Sequence, residues 1–136
     1  MNIIKWNDNE FLLGMPVMDD THKEFITLVN KLSDAPDELF SCLFDELITH
    51  TQQHFQQEEK LMTEYKFPVE GEHKDEHQRI LGELKQFKKR VDKGLIAFAR
   101  NYIRDRIPEW FRLHAATMDS ALAMHLKTVF DLANNK

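Results

Sequence analysis

Residues 36–65 read PDELFSCLFDELITHTQQHFQQEEKLMTEY, and this stretch decides the fold. Leu39, Leu43, Leu47, Phe55, Leu61 and Met62 recur at separations that face them inward from one α-helix of about seven turns. Pro36 suits its first turn, and Asp37-Glu38 favour its positive end. Phe67-Pro68 closes it. On or beside the apolar face stand His54 and Glu58, four residues and one turn apart, so two metal-ligating atoms can be aimed at one point.

The same pattern spreads outward in both directions. Upstream, Asp19 and Asp20 sit where a helix cap belongs, and Phe25, Ile26, Val29 and Leu32 form an apolar stripe that also carries His22. Ser33-Asp34-Ala35-Pro36 ends that helix. Residues 1–18 have a Gly-x-Pro break and no sustained period, so they are expected to form an arm packed through Trp6, Phe11 and Leu12. Downstream, a third helix begins near Glu70, continues through Ile80, Leu84, Phe87 and Val91, and bears His73 and His77. Gly94 is placed as a C-terminal cap. The fourth helical segment runs from Leu95 to about Asn134. Pro108 within it should kink the helix one turn before His114, with a break as the alternative. Asp119 follows His114 by five residues, a weaker spacing that needs a slight bend to bring both to one side.

Four helices on short links predict an all-α, antiparallel up-and-down four-helix bundle, one domain over 1–136 with an N-terminal arm (1–18) and a C-terminal helical extension (120–136). In the extension, the stripe Met118, Leu122, Leu126, Val129 and Phe130 is expected to pack on the bundle. The length suits one domain with a real core, and 42% hydrophobic with 30% charged residues is ordinary for a globular protein. A net charge of −5 argues against nucleic acid as partner. No apolar run approaches the roughly 20 residues that span a bilayer. The single Cys42 and the lack of a charged-then-apolar leader favour a reducing, cytoplasmic setting. The basic run Lys88-Lys89-Arg90 suits the negative end of its helix.

His22, His54, Glu58, His73, His77, His114 and Asp119 together draw on every helix. An ionised Glu58 or Asp119 left unpaired on an apolar face costs several kcal/mol, which a bound cation removes. Five imidazoles and two carboxylates offer too few oxygens for calcium or magnesium, and no thiolates are spaced for a zinc finger. The set suits two transition-metal ions, with iron the leading candidate. His50, one turn before His54, belongs to the cluster or its rim, and His125 is a packing or surface residue. Glu59, Glu64, Glu72, Asp75 and Glu76 mostly face away from the apolar stripes, as solvated groups or as buttresses to ligands.

The segments DDTHKEF at 19–25, HFQQEEKLM at 54–62, HKDEH at 73–77 and WFRLHAATMD at 110–119 together resemble the hemerythrin family, over a span from about Trp6 to Leu122. That resemblance implies one iron held by His73, His77 and His114 and a second by His22 and His54. Glu58 and Asp119 would bridge them, with a solvent-derived oxo or hydroxo group as third bridge. Counting ligands then leaves the second iron one short of six, which is where dioxygen would bind reversibly for storage, delivery or sensing. Phe25, Phe55, Met62, Trp110, Phe111 and Ala115 resemble the family's pocket-lining positions. Two departures stand out: Phe111 stands where leucine is common, and Ala115 where a larger aliphatic residue is common. An enzyme reducing peroxide or nitric oxide and an oxygen-responsive interaction module are the alternatives.

Overall fold

The structure is a computed structural model and describes residues 2–134. Positions 1, 135 and 136 of the expected arm and extension lie outside the described residues. After a short helix α1 (Asp8–Phe11) come α2 (Pro16–Asp34), α3 (Asp37–Glu64) and α4 (Glu70–Asp92). The last rod is continuous: α5 (Ile96–Asn101), a π-helical turn (Tyr102–Arg106), α6 (Ile107–His114), a second π-helical turn (Ala115–Asp119) and α7 (Ser120–Asn134). These elements make the up-and-down four-helix bundle expected, with α3 packed between α2 and α4 and the last rod closing the ring.

Register in α3 differs from the expectation by one residue near its start. Phe40 and Phe44 are fully buried, whereas Leu39 is 53% exposed. Phe40, Phe44, Leu47, Thr51, Phe55, Glu58 and Met62 share the inner face, and the two large rings claim it because they bury more apolar area than leucine. Pro36 sits just outside this helix as its N-cap. The helix closes at Lys66, which takes a left-handed φ of 53° so that the Phe67 amide reaches the Met62 carbonyl at 2.9 Å. Gly94, at φ 85°, closes α4 as expected, with the Leu95 amide on the Arg90 carbonyl at 2.9 Å.

Helix α2 begins four residues earlier than a cap at Asp19 implied, with Met15 as its N-cap and Pro16 in its first turn. Asp19 is nonetheless buried. Its carboxylate accepts the Leu13 amide at 2.9 Å and the Gly14 amide at 3.0 Å, so it pins the arm's turn instead of capping the helix. Asn30 pins the arm's beginning, accepting from Ile3 and Ile4 amides and donating to the Ile4 carbonyl. Phe11 is buried and Trp6 half-buried against it, but Leu12 is 52% exposed. The core divides in two. A large cluster, including Phe25, Val29, Phe40, Phe44, Phe55, Leu84 and Phe111, fills most of the bundle. A smaller one joins Met18, Met62 and Phe67 to Leu122 and Leu126 of α7. Val129 and Phe130 are half-buried, and Phe130 meets Tyr65 edge-on at 5.1 Å.

Candidate metal centre

Between those clusters, all seven expected ligands converge and all are buried. Helix α2 supplies His22, α3 supplies His54 and Glu58, and α4 supplies His73 and His77. The pairs four apart lie one turn apart on an inner face, as ordinary α-helix demands. His114 and Asp119 cannot meet that way. Five residues of α-helix turn about 500°, leaving the second side chain about 140° out of line. The π-helical turn over Ala115–Asp119 removes the discrepancy: the Ser120 amide bonds back to the Ala115 carbonyl, five residues away, and the widened turn brings Asp119 under His114. The Asp119 Oδ1 lies 3.1 Å from His114 Nε2.

Pro108 does not break the rod, which stays helical on both sides of it. Its ring would strike the carbonyl four residues back in a regular helix. The π-helical turn over Tyr102–Arg106, where the Ile107 amide bonds to the Tyr102 carbonyl, lies immediately before it and lets helical backbone continue.

The ligand atoms form two overlapping sets, Glu58, His73, His77, His114 and Asp119 in one and His22, His54, Glu58 and Asp119 in the other, with all atoms of each set within 4.8 Å of one another. Glu58 approaches His54 at 2.6 Å, His77 at 3.2 Å, His73 at 3.5 Å and His22 at 3.7 Å. Asp119 lies 3.0 Å from His22 and 3.1 Å from His73. Several of these short approaches lack hydrogen-bond geometry. The Nε2 atoms of His22, His77 and His114, Glu58 Oε1 and Asp119 Oδ2 are buried with no hydrogen-bond partner. Inward-facing lone pairs without donors are the condition a cation satisfies, so the residues present fit a pair of metal ions.

Electrostatics support the same conclusion. Burial pulls the imidazoles of His22 and His73 down, but Asp119 and Glu58 outweigh it and raise them to about 10 and about 9. Burial likewise pushes Glu58 up, yet the surrounding histidines hold it well below the usual carboxylate range. Asp119, opposed by burial and by Glu58, is also held down by His114 and His22. A bound cation would take the place of these protons, discharging the imidazoles and keeping both carboxylates ionised.

The sequence profile of the Hemerythrin HHE cation binding domain matches residues 13–126. The chain belongs to the hemerythrin family. It is 32% identical over 126 residues to a bacteriohemerythrin of Ralstonia nicotianae, covering 93% of this chain and 90% of that one. It is 32% identical over 120 residues to a bacteriohemerythrin of Aquifex aeolicus, covering 84% and 91%. The crystal structure of a wild-type hemerythrin superposes with a TM-score of 0.84 at 25% identity, covering 90% of this chain and 97% of that one. The hemerythrin family binds dioxygen at a non-heme diiron site.

Around the hemerythrin centre, the expected lining residues divide. Phe25, Phe55, Phe111 and Ala115 are buried. Phe111 stacks on Phe25 at 4.9 Å and meets the His22 ring edge-on at 5.4 Å. Met62 is equally buried but belongs to the smaller core cluster with Met18 and Phe67. Trp110 is half-buried, stacked on His114 at 4.8 Å and 20°.

The remaining histidines separate cleanly. His50 lies at the rim, its Nε2 3.0 Å from Glu24, beside a polar depression lined by Thr21, Gln53, His54, Gln57 and Lys60. His125 bonds the Tyr65 carbonyl at 2.8 Å and leans on Phe67. Glu64, Glu72 and Asp75 are exposed. Of the acidic residues expected to be solvated or to buttress ligands, two stand against the centre: Glu59 lies 3.3 Å from His77 Nδ1, and Glu76 accepts the Trp110 indole proton at 2.7 Å. The only signal for them was position, since Glu59 follows a ligand and Glu76 precedes one.

Proposed function

We propose that this single-domain chain holds two iron ions and binds dioxygen reversibly, for storage, delivery or sensing. One observation carries the reading: two sets of ligand atoms share both carboxylates, with three histidines in one set and two in the other. His73, His77 and His114 would hold one iron, His22 and His54 the other, and Glu58 and Asp119 would bridge. The iron pair, when bound, supplies the electrons and the open coordination that reversible dioxygen binding requires.

The chain's own residues set the conditions for reversibility. Five neutral imidazoles and two carboxylates contribute less negative charge than carboxylate-rich diiron sites, which disfavours the highest iron oxidation states. Phe111, stacked on Phe25, presents an apolar edge to His22, and with the buried Ala115 these residues exclude the water that promotes loss of a bound ligand. Their role, with Phe55, is to keep the two-histidine side dry from within the bundle. Met62 and Trp110 contribute from farther out. An exposed free thiol at Cys42 fits a reducing cytoplasm, and among the described residues no helix is long and apolar enough to cross a membrane.

Metal analysis with an optical spectrum, taken before and after reduction and re-aeration, tests the proposal. Two irons per chain and a visible band that returns on each cycle are expected. Zinc alone, or no returning band, would sink it. The polar depression of about 470 Å³ beside His54 supports a second reading, reduction of hydrogen peroxide, because a hydrophilic molecule can approach a ligand there. Turnover with peroxide and a reductant separates the two.

A further inference from the structure

On the side of the centre away from that depression, the Trp110 indole lies flat on the His114 ring, 4.8 Å between centroids and 20° between planes. Phe55 and Phe111, also close to ligands, are sealed inside the core at 1% exposure, and Phe67 meets His73 only edge-on at 6.2 Å. Trp110 instead reaches the wall of a surface groove of about 340 Å³ formed by α4 and the last rod, together with Arg79, Glu83, Tyr102, Arg106 and Leu113.

Polar bonds hold the indole in place. Its Nε1 donates to Glu76 at 2.7 Å, and Arg79 grips both Glu76 oxygens at 2.6 and 3.2 Å. Arg79 also donates to Glu83 at 2.6 Å, and Glu83 accepts the Tyr102 hydroxyl at 2.9 Å. Tyr102 is in turn stacked on Phe87 at 4.3 Å. An aromatic ring held by Glu76, itself anchored through Arg79, Glu83 and Tyr102, with one face on a candidate metal ligand and one edge at a surface groove, is a rigid electronic contact between outside and inside. Electron tunnelling decays exponentially with distance, so a stacked π system is a far better bridge than aliphatic packing of the same depth.

We propose that Trp110 is the electron-entry contact of the centre, and that the groove receives a reduced flavin whose electrons pass through the indole and the His114 imidazole to the oxidised metal pair. This rests on the diiron reading. Two oxidised irons need two electrons delivered singly, and a flavin hydroquinone releases two electrons one at a time. Each step removes one electron from the flavin and adds one to an iron; after two, the flavin is a quinone and has shed two protons to solvent. The indole keeps its proton on Glu76 and is not itself oxidised. The groove volume is that of a small-ligand site. Trp110 and Tyr102 offer aromatic walls and Leu113, 66% exposed, an apolar lip. Its charged groups, Arg79 and Arg106 against Glu83 and Glu109, sum to zero. The isoalloxazine ring is therefore what is recognised, and riboflavin serves as well as its phosphate.

Two measurements test this. Metal-free protein is titrated into riboflavin and the flavin fluorescence followed; quenching is expected with the parent and with Trp6→Phe, and loss of quenching with Leu113→Glu, a groove-lip change at a side chain exposed to solvent. Iron-loaded, oxidised protein is then mixed with reduced riboflavin in a stopped-flow instrument. Trp110→Leu and Leu113→Glu should each slow reduction by roughly 10- to 100-fold, and in Leu113→Glu the visible spectrum of the oxidised centre should be unmoved. A Trp110→Leu variant with a shifted spectrum but a parental reduction rate would give Trp110 a merely structural role and overturn the proposal. Unchanged reduction rates in Leu113→Glu, or no quenching by the metal-free parent, overturn the proposal. A chain that takes up no iron defeats the diiron reading, and the quenching result still judges the groove separately.

Discussion

The two halves of the metal centre are built from the same residue types but held differently. In the three-histidine half, His77 lies flat on Phe55 at 3.7 Å and 2°, and its outer nitrogen faces Glu59. His114 lies on Trp110, which Glu76 fixes. In the two-histidine half, His22 and His54 meet each other at 64° and take only edge or tilted contacts from Phe111 and Phe55, while His54 lines the polar depression. His73 has only edge contacts, but the stacked rings of His77 and His114 would hold an ion in fixed geometry. Rings touched at their edges beside a surface depression suit the position where ligands exchange. The difference teaches that identical ligand chemistry becomes two unlike sites through its second layer of contacts.

Removing what the halves share should have the largest effect. Glu58→Ala takes away a carboxylate that approaches four of the histidines, and neither iron should survive desalting. Retention of both, by metal analysis, would show that the carboxylate does not unite the halves.

Removing one half should leave the other. His54→Ala is expected to keep a single ion in the three-histidine set, whereas His77→Ala should weaken the whole centre by unseating the better-held half. Equal stoichiometry in the two variants would erase the proposed asymmetry.

The supports come next. Phe55→Ala deletes the stacking face of His77 and a fully buried ring, with an expected cost of about 3–5 kcal/mol in denaturant unfolding. Glu59→Ala should leave the fold intact and weaken metal binding by roughly 10- to 100-fold in a chelator competition. If Glu59→Ala binds metal as the parent does, the outer nitrogen of His77 has no part in the difference.

The smallest effect is one of pH, and both halves should contribute to it. His22 and His73 are raised from 6.5 to about 10 and about 9 before metal binds. A raised imidazole stabilises the fold fully below its unfolded value, and that stability is lost as pH rises through the folded value. The melting temperature of metal-free protein should therefore decline from neutral pH toward pH 10. In iron-loaded protein this decline should vanish, because the metal has already displaced the protons. A rise with pH in the metal-free chain would contradict the assigned protonation.

Much of the centre was legible in the chain. His54/Glu58 and His73/His77 repeat at the period of a helix, so their convergence on inner faces follows from local geometry alone. The stripe Phe25, Ile26, Val29, Leu32 was legible for the same reason. Near the start of α3 the pattern misled, since Leu39 and Phe40 are adjacent apolar residues and only packing decides which turns inward. Asp19 also misled, because a side chain suited to cap a helix can equally receive the amides of a preceding turn.

The seven candidate ligands, their distribution over four helices and the apolar faces that bury them are legible in the chain alone, because each depends on spacing within one segment. The tertiary structure decided the rest. It closed the five-residue gap between His114 and Asp119 with a π-helical turn, absorbed Pro108 with another, laid Phe55 and Trp110 on two of the histidines, and placed Glu59 and Glu76 behind them. None of these has a local period to announce it, since each arises where side chains from separate helices compete for the same space.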